Sequence, residues 1–555
     1  MAIYEEKQPR VRWIVLLIAA LFLVSFPLVQ IGMNELYSTE GEYAAAAREF
    51  SGLNTLVTVH GTLPETVFPL YPALVRLLFN CGLPLEFSLR FMSLLPLALI
   101  ALLTGLICGR AADRQAGAAA AVIVLTTILA GSKAPEGYPQ MLSALIVYTG
   151  WMTWFYLGFV RSHWNAAWLS VGLFGGLAFY SNGLTAVVYF LVPLAFQQRP
   201  FTVWTKLRKP GLPAAILVAA VFFFAWLTPI QNWLAANPVF PHEGSSFHIL
   251  TYFKDIAVRP FDAAIRFFPW SLMLWAPFCP ALIAIERNPL LIKYHRILFV
   301  VLGLLIWFNP QTRARDFLYL VPLAATLAAC NYWILVRRYA GKFFSLFTIM
   351  AVLALASCAV AAAYLILPQD VFAKFAIGVR LPAEKPTVTM LMTAELALSF
   401  VTAAAALLLI RMRRPVWMTY LFVFASFMLL FWSVINTVRS MDRSKEEFAA
   451  GILAALTEKD AAQDSGSVPA TLYKDPSIMG LYSEGCYIGI PIRTLANDKI
   501  PATVDPACVL TTDVPSHSTR TWTRLYDCEY RHEHLYIYKG VLKKELSDDD
   551  EYDYE

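Results

Sequence analysis

The sequence predicts an all-α, multi-spanning membrane bundle that carries a small α/β domain at its C-terminal end. Three observations predict it. Of the 555 residues, 58% are hydrophobic and only 15% are charged, where a soluble domain would carry roughly a quarter. Apolar runs of about 20 residues, the length that crosses a hydrocarbon core, recur from residue 13 to residue 436. Beyond that point the chain turns polar and breaks into short strand-like pieces between turn residues. The net charge of +5 is spread over many loops, with no basic stripe interleaved with aromatics, which points away from nucleic acid as a partner.

The first span, 13–33, follows Lys7, Arg10 and Arg12, so it reads as an uncleaved anchor with a cytoplasmic N-terminus. Later spans are expected at 88–109, 116–132, 138–160, 165–180, 183–198, 212–229, 270–286, 296–308, 316–336, 343–367, 387–410 and 416–436. That makes about thirteen by the length rule. The pair 165–180 and 183–198 is separated only by Ser181-Asn182-Gly183. Alternation places the short loops at 110–114, 161, 199–209, 287–296, 337–342 and 411–414 on one side, and almost all of them are rich in Lys or Arg. By the positive-inside rule that side is the cytoplasm. The long loops 34–87 and 230–269, and everything after 437, then face outside.

The domains expected are therefore a membrane part, 1–436, an extracytoplasmic α/β domain, 437–545, and an acidic tail, 546–555, that solvates more readily than it binds. The α/β domain opens with "RSKEEFAAGILAAL", which puts Phe448, Ile452 and Leu456 on one helical face. The pieces "ATLYKD", "CYIGIPI", "ACVLTTD" and "HLYIYKG" read as strands. Cys486, Cys508 and Cys528 lie here, and in an oxidising compartment two of the three could pair. The other cysteines are scattered in or beside apolar segments without metal-ligand spacing.

Chemistry is expected in the outside loops, because the spans are nearly free of acids, with Glu395 the main exception. The first loop holds Glu40, Glu42, Arg48, His60, Glu65 and Arg76 among apolar residues, and is apolar enough to lie on the bilayer surface. "LYSTEGEYAAAAREF" has the spacing of a helix start: Thr39 and Glu42 form a capping box, Glu40 sits one position inside, and the alanines let the helix pack closely. The second loop contributes His242, Glu243, His248, Lys254, Asp255, Arg259 and Arg266. A third, "NPQTRARDFLYLVP", offers Arg313 and Arg315 at a membrane edge, where cations suit a phosphate head group.

These stretches carry a resemblance. "TEGEYAAAAREF" looks like the first-loop signature of polyprenyl-phosphate-sugar glycosyltransferases of the GT-C type, the group containing protein O-mannosyltransferases and the lipid A aminoarabinose transferase. "HGTLPETVFPLYPAL", "SLRFMSLLPLALIALLTGLICGR", the Pro-Trp of "FFPWSL" and "RARDFLYLVPLAA" are similar to that group's later segments, in the same order. The resemblance covers most of the membrane part. It implies a GT-C bundle and inverting transfer of one sugar from a polyprenyl phosphate to an extracytoplasmic lipid, glycan or protein, in a bacterial inner membrane. It also implies a carboxylate near the acceptor oxygen to take its proton and cations, or a metal, on the departing phosphate.

Carried over position by position, the resemblance implies Glu40 as the base and Arg313 and Arg315 as the phosphate-side cations. Glu42, Tyr43, His60, Glu65, Arg90, Trp270 and Tyr319 are implied substrate contacts. Each has a plainer reading beside it. Acids suit any first helical turn, basic residues anchor span ends, and Trp270 suits an interfacial belt. Arg90 could snorkel. His60 and Glu65 could share a divalent metal, although loop polarity accounts for them as well. The chain departs from the pattern at Thr39, Thr66, Gln140 and Asn182, where relatives carry charge. The rival reading is a non-catalytic transporter or flippase of lipid-linked sugars, with Glu395 as its support.

Overall fold

In a computed structural model, the chain is described over residues 11–50, 55–64, 66–200, 202–236, 249–368, 385–458, 471–478, 480–495, 500, 504–515, 519–531 and 533–543. His242, Glu243, His248, Glu65 and the acidic tail lie outside these residues. The chain divides into two compact units. A membrane unit comprises 1–34, 68–226 and 245–442, and a polar unit comprises 35–67, 227–244 and 443–555.

Among the described residues, nine helices are long and apolar enough to cross a membrane. Seven of them are Trp13–Ile31, Leu85–Ala111, Gln140–Val160, Gly211–Ala235, Pro289–Phe308, Tyr332–Ile366 and Met390–Arg411. The expected span 416–436 falls in another of the nine; the chain is thus a multi-pass membrane protein, and the other expected spans take other forms. The segments 165–180 and 183–198 are one helix, Trp164–Ala195, that kinks where Asn182 and Gly183 leave helical geometry. At Gly183 φ is +63, and a Cβ there would lie 2.1 Å from the Phe68 ring, so glycine is required twice over.

The expected span 116–132 is a helix, Arg114–Thr126, capped by Asp113, whose carboxylate accepts from Ala116 N–H. It breaks at the extended Thr127 before Ile128–Lys133. The segment 270–286 is not a span. Pro269, Pro277 and Pro280 each remove a donor and crowd the preceding turn, leaving short turns at Trp270–Met273 and Ala276–Phe278 and a four-residue helix, Pro280–Ile283. The segment 316–336 becomes a 3-10 stretch, Ala314–Leu320, running into the helix Val321–Cys330.

Glu395 is accounted for within this unit. Both of its carboxylate oxygens lie 2.8 Å from the Gln30 side-chain nitrogen, which donates to them, so this acid inside a span ties Met390–Arg411 to the end of the first helix pair. Buried polar groups are retained where they are hydrogen-bonded, and this one is.

In the polar unit a five-stranded sheet has the order β2-β1-β3-β5-β4. The strands are β1 Leu472–Lys474, β2 Ile492–Thr494, β3 Ala507–Thr511, β4 Arg520–Tyr530 and β5 Glu533–Leu542. β1 runs parallel to β2 and β3, and β5 runs antiparallel to β3 and β4. The helix Ser444–Glu458 buries Phe448, Ile452 and Leu456 with Leu472, Leu510 and Ile537 of the sheet, each such side chain contributing about 1.5–3 kcal/mol when fully buried.

Two expectations are corrected here. "CYIGIPI" is not one strand: Tyr482–Ile488 is helical and ends at Gly489 with φ +79, and pairing begins only at Ile492. β4, which no expectation marked, is the sheet's long edge strand. Among the described residues no disulfide joins Cys486, Cys508 or Cys528.

Candidate active site

In the polar unit, "STEGEYAAAARE" forms the helix Ser38–Glu49. Its start differs from the expected capping box. The helix begins one residue before Thr39, so Glu40 takes the third position, and its Oε2 accepts from Tyr37 N–H at 3.0 Å. Glu40 rather than Glu42 is therefore the acid that reaches back over the helix start. Glu40 is 0% exposed. Glu42 instead accepts from Thr66 Oγ1 at 3.2 Å.

The alanine row does what its small side chains allow. Ala44, Ala45, Ala46 and Ala47 are buried with Tyr43, and a Cβ on Gly41 would lie 2.4 Å from Ser483 N, so this helix runs in backbone contact with the start of Tyr482–Ile488. Leu36 N–H donates to Tyr487 Oη at 2.9 Å and Ser483 Oγ to Tyr37 O at 3.3 Å. The helix that presents Glu40 is thereby fixed at its first turn.

At the other end of the same helix, Arg48 and Glu49 line a cavity of about 230 Å³ with His60, Gly485, Ile490 and Pro491. Glu49 accepts from Thr58 Oγ1 at 2.8 Å and from His60 N–H at 2.6 Å. Burial pushes the Glu49 carboxyl above its usual value, against those donors and the Arg493 charge, which pull it down. Arg48 donates to Cys486 O. His60 is 3% exposed, and its Nδ1 is buried without a hydrogen-bond partner. Burial, with the Lys474 charge adding to it, pushes the imidazole down to about 3, so the ring is neutral near pH 7. Among the described residues no group of three or more His, Cys, Asp or Glu could hold a metal ion.

The membrane unit holds the remaining candidates. Arg315 stacks 4.0 Å above the Tyr138 ring. It is 8% exposed, and its Nε is buried without a hydrogen-bond partner. The neighbouring Asp316 accepts from Arg313 N–H at 2.7 Å and feels the charges of Arg315, Arg313 and Arg259. Arg259, on the helix Ile249–Arg266, donates to Trp307 O at 2.8 Å and to Asn309 O at 2.6 Å. One carboxylate thus stands among three guanidinium groups, and Asp255 reaches Arg259 only at 3.9 Å. Such a cluster suits an incoming anion.

Tyr319 is buried beside this cluster; its Oη accepts from Asn182 Nδ2 at 3.1 Å, and its ring meets Tyr189 edge-on at 5.3 Å. Trp270 is buried, donates to Thr126 Oγ1 at 2.9 Å and packs against Tyr420; the belt reading is corrected, since the tryptophan fills the interior. Arg90 donates to Ile31 O at 2.8 Å and Asn34 O at 2.9 Å. It satisfies carbonyls left open after the helix Leu28–Ile31, a fixed inward position rather than a snorkelling one.

Reasoning from sequence missed three partners here. Tyr138 gave no signal, because stacking joins it to Arg315 across 177 positions of chain. Arg259 was one cation among several in its loop. Glu49 was not singled out, although His60-Gly61, eleven residues on, has the look of a tight turn that needs an anchor.

The candidates fall into these two groups: Glu40, Glu42, Tyr43 and His60 in the polar unit, and Arg90, Trp270, Arg313, Arg315 and Tyr319 in the membrane unit. No protein-family model matches the sequence, and no curated protein matches it either. Solved structures do. They share its fold, a helical membrane bundle with a small α/β domain. The crystal structure of ArnT from Cupriavidus metallidurans in the apo state superposes with a TM-score of 0.63, over 95% of this chain and 98% of that one, at 16% identity. The same protein bound to undecaprenyl phosphate gives 0.63, over 96% and 98%, at 15% identity. At that identity the likeness establishes the fold alone.

Proposed function

We propose that this chain is an integral membrane glycosyltransferase that moves one sugar from a polyprenyl-phosphate donor to an extracytoplasmic lipid, glycan or protein, with inversion. The observation that carries the reading is Arg315, a buried guanidinium stacked on Tyr138 whose Nε–H has no partner. An unpaired buried donor on a charged group is costly, and a phosphate oxygen would satisfy it. That the ArnT structure of the same fold binds undecaprenyl phosphate supports a lipid phosphate as the source of that oxygen.

In this reading the acceptor oxygen forms a bond to the anomeric carbon as the carbon–phosphate oxygen bond breaks. The electron pair leaves with the lipid phosphate, whose charge Arg315 and Arg313 stabilise. Glu40 takes the acceptor's proton. Its carboxylate is held by Tyr37 N–H, and a fixed carboxylate loses little entropy in the reaction. In this reading the acceptor side faces outside and the N-terminus inside, an orientation that the Lys- and Arg-rich short loops support. The transporter alternative loses its main support, because Glu395 is paired with Gln30.

The test is transfer of radiolabel from a panel of polyprenyl-phosphate sugars to a membrane or cell-wall extract, catalysed by the protein in lipid nanodiscs. Label reaching an acceptor supports the enzyme. Tight binding of the lipid phosphates with no transfer from any of them would favour a carrier.

A further inference from the structure

The cavity beside Arg48 and Glu49 has no part in that chemistry, and its most unusual wall is His60. Val59 to Thr62 form a two-residue hairpin turn, with Val59 N–H donating to Thr62 O at 2.9 Å and Thr62 N–H to Val59 O at 3.0 Å. Both central residues are left-handed, His60 at φ +51 and Gly61 at φ +71. A turn of this kind favours Asn-Gly or Asp-Gly, since a larger side chain with positive φ is strained. Here a histidine occupies the strained position, its ring is buried, and Nδ1 has no partner. Local preference and polar satisfaction are both broken at one residue, and such breaks concentrate at functional positions.

The turn is pinned rather than loose. His60 N–H donates to Glu49, and His60 O accepts from Thr494 N–H at 2.9 Å. The opposite wall is equally close: a Cβ on Gly485 would lie 2.8 Å from His60 Nε2, so glycine at 485 keeps the space open beside the ring.

The polar groups on the cavity are of three kinds. The Arg48 guanidinium donates, the Glu49 carboxylate accepts, and the neutral imidazole can do either, according to its tautomer. Adjacent hydroxyls, each both donor and acceptor, match such a set. A bare anion does not, because the Glu49 carboxylate would face it. The volume, about 230 Å³, falls below the roughly 300–1,000 Å³ of pockets that enclose drug-sized ligands and suits a single ring.

We propose that this cavity binds one uncharged sugar ring, with the His60 imidazole, Glu49 and Arg48 reading its hydroxyls. That the ring belongs to the acceptor rests on the glycosyltransferase reading above; the site itself does not.

Saturation-transfer NMR on the full chain in nanodiscs tests this, with the methyl pyranosides of glucose, mannose and galactose and with N-acetylglucosamine as probes at millimolar concentration. Saturation of at least one ring is expected, weakened about tenfold or more in His60→Asn, which removes the imidazole while suiting the turn. Gly485→Ala, which pushes a methyl group towards the ring, is expected to weaken it as well. Inorganic phosphate should not compete. Saturation of none of the probes, saturation kept in both variants, or displacement by phosphate would each overturn the site. Glu40→Gln separates the two claims: it should lose transfer and keep saturation, whereas a Glu40→Gln protein that still transfers sugar would overturn the base and leave the cavity standing.

Discussion

Glu49 receives the backbone N–H of His60 through Oε1 at 2.6 Å and the Thr58 hydroxyl through Oε2 at 2.8 Å. One side chain at the end of the Ser38–Glu49 helix thus holds the turn that follows it eleven residues later. Replacing Glu49 by Gln keeps the shape but turns an amide NH₂ towards one of those donors. Hydrogen bonds to charged groups contribute about 1.5–3 kcal/mol each, so protection of the His60 and Gly61 amides against hydrogen exchange should fall by about that amount. Unchanged protection would mean that the turn is held by its own two hydrogen bonds.

The same turn gives a pH dependence. The folded His60 ring stays neutral down to about pH 3, whereas in the unfolded chain it takes a proton near pH 6.5. Between those values the unfolded state binds the extra proton, so this contribution is complete above pH 6.5 and is lost as pH falls towards 3. Glu49, raised by burial, acts in the opposite sense: its contribution is complete below its ordinary value and is lost as pH rises through the folded one. Comparing wild type with His60→Asn isolates the histidine. Urea unfolding should show wild type losing ground to the variant as pH drops from 6.5, by up to about 1.4 kcal/mol per pH unit. Parallel curves would refute a buried neutral imidazole.

Arg315 predicts a difference between two basic side chains. Lysine keeps the charge but loses the planar stack on Tyr138 and the forked donors. Arg315→Lys should therefore weaken binding of polyprenyl phosphate about tenfold or more, the equivalent of about 1.4 kcal/mol, and Arg315→Ala should weaken it further. A binding curve unchanged by Arg315→Ala would remove the cationic cluster from the donor site.

Glu395 predicts an asymmetry between substitutions. Glutamine can still pair with the Gln30 amide, so Glu395→Gln should leave transfer largely intact. Glu395→Ala strands a buried amide, a loss of about 1–3 kcal/mol, visible as a lower unfolding temperature in nanodiscs. Loss of function in Glu395→Gln with stability unchanged would revive the transporter reading.

The architecture was legible wherever apolar length decided it. Runs such as 88–109 and 387–410 can only be helices in a bilayer, and the helical face of Phe448, Ile452 and Leu456 followed from spacing alone. Composition misled where backbone chemistry overrode it. The segment 270–286 is apolar enough to span, but Pro269, Pro277 and Pro280 break it. Ser181-Asn182-Gly183 looked like a loop between two helices and is a kink inside one. The helix start moved by two residues, from a cap at Thr39 to one at Tyr37, which exchanged the parts of Glu40 and Glu42, because boundaries are the least determined feature of a pattern. Individual polar residues such as Arg313 and Arg315 stood out by their place in a loop. Partners did not, since Tyr138 meets Arg315, and Asn182 meets Tyr319, only through tertiary packing.

The central claim is that Glu40 is the carboxylate that takes the acceptor's proton. Glu40→Gln tests it most directly, because glutamine can keep the hydrogen bond from Tyr37 N–H and with it the helix start. Transfer is measured in nanodiscs with the donor that wild type uses, alongside binding of polyprenyl phosphate. The account predicts that the variant binds the lipid phosphate as wild type does and transfers sugar at least about a hundredfold more slowly, the lower end of what general-base catalysis contributes. Transfer at the wild-type rate would contradict it and leave Glu40 as the cap of its helix.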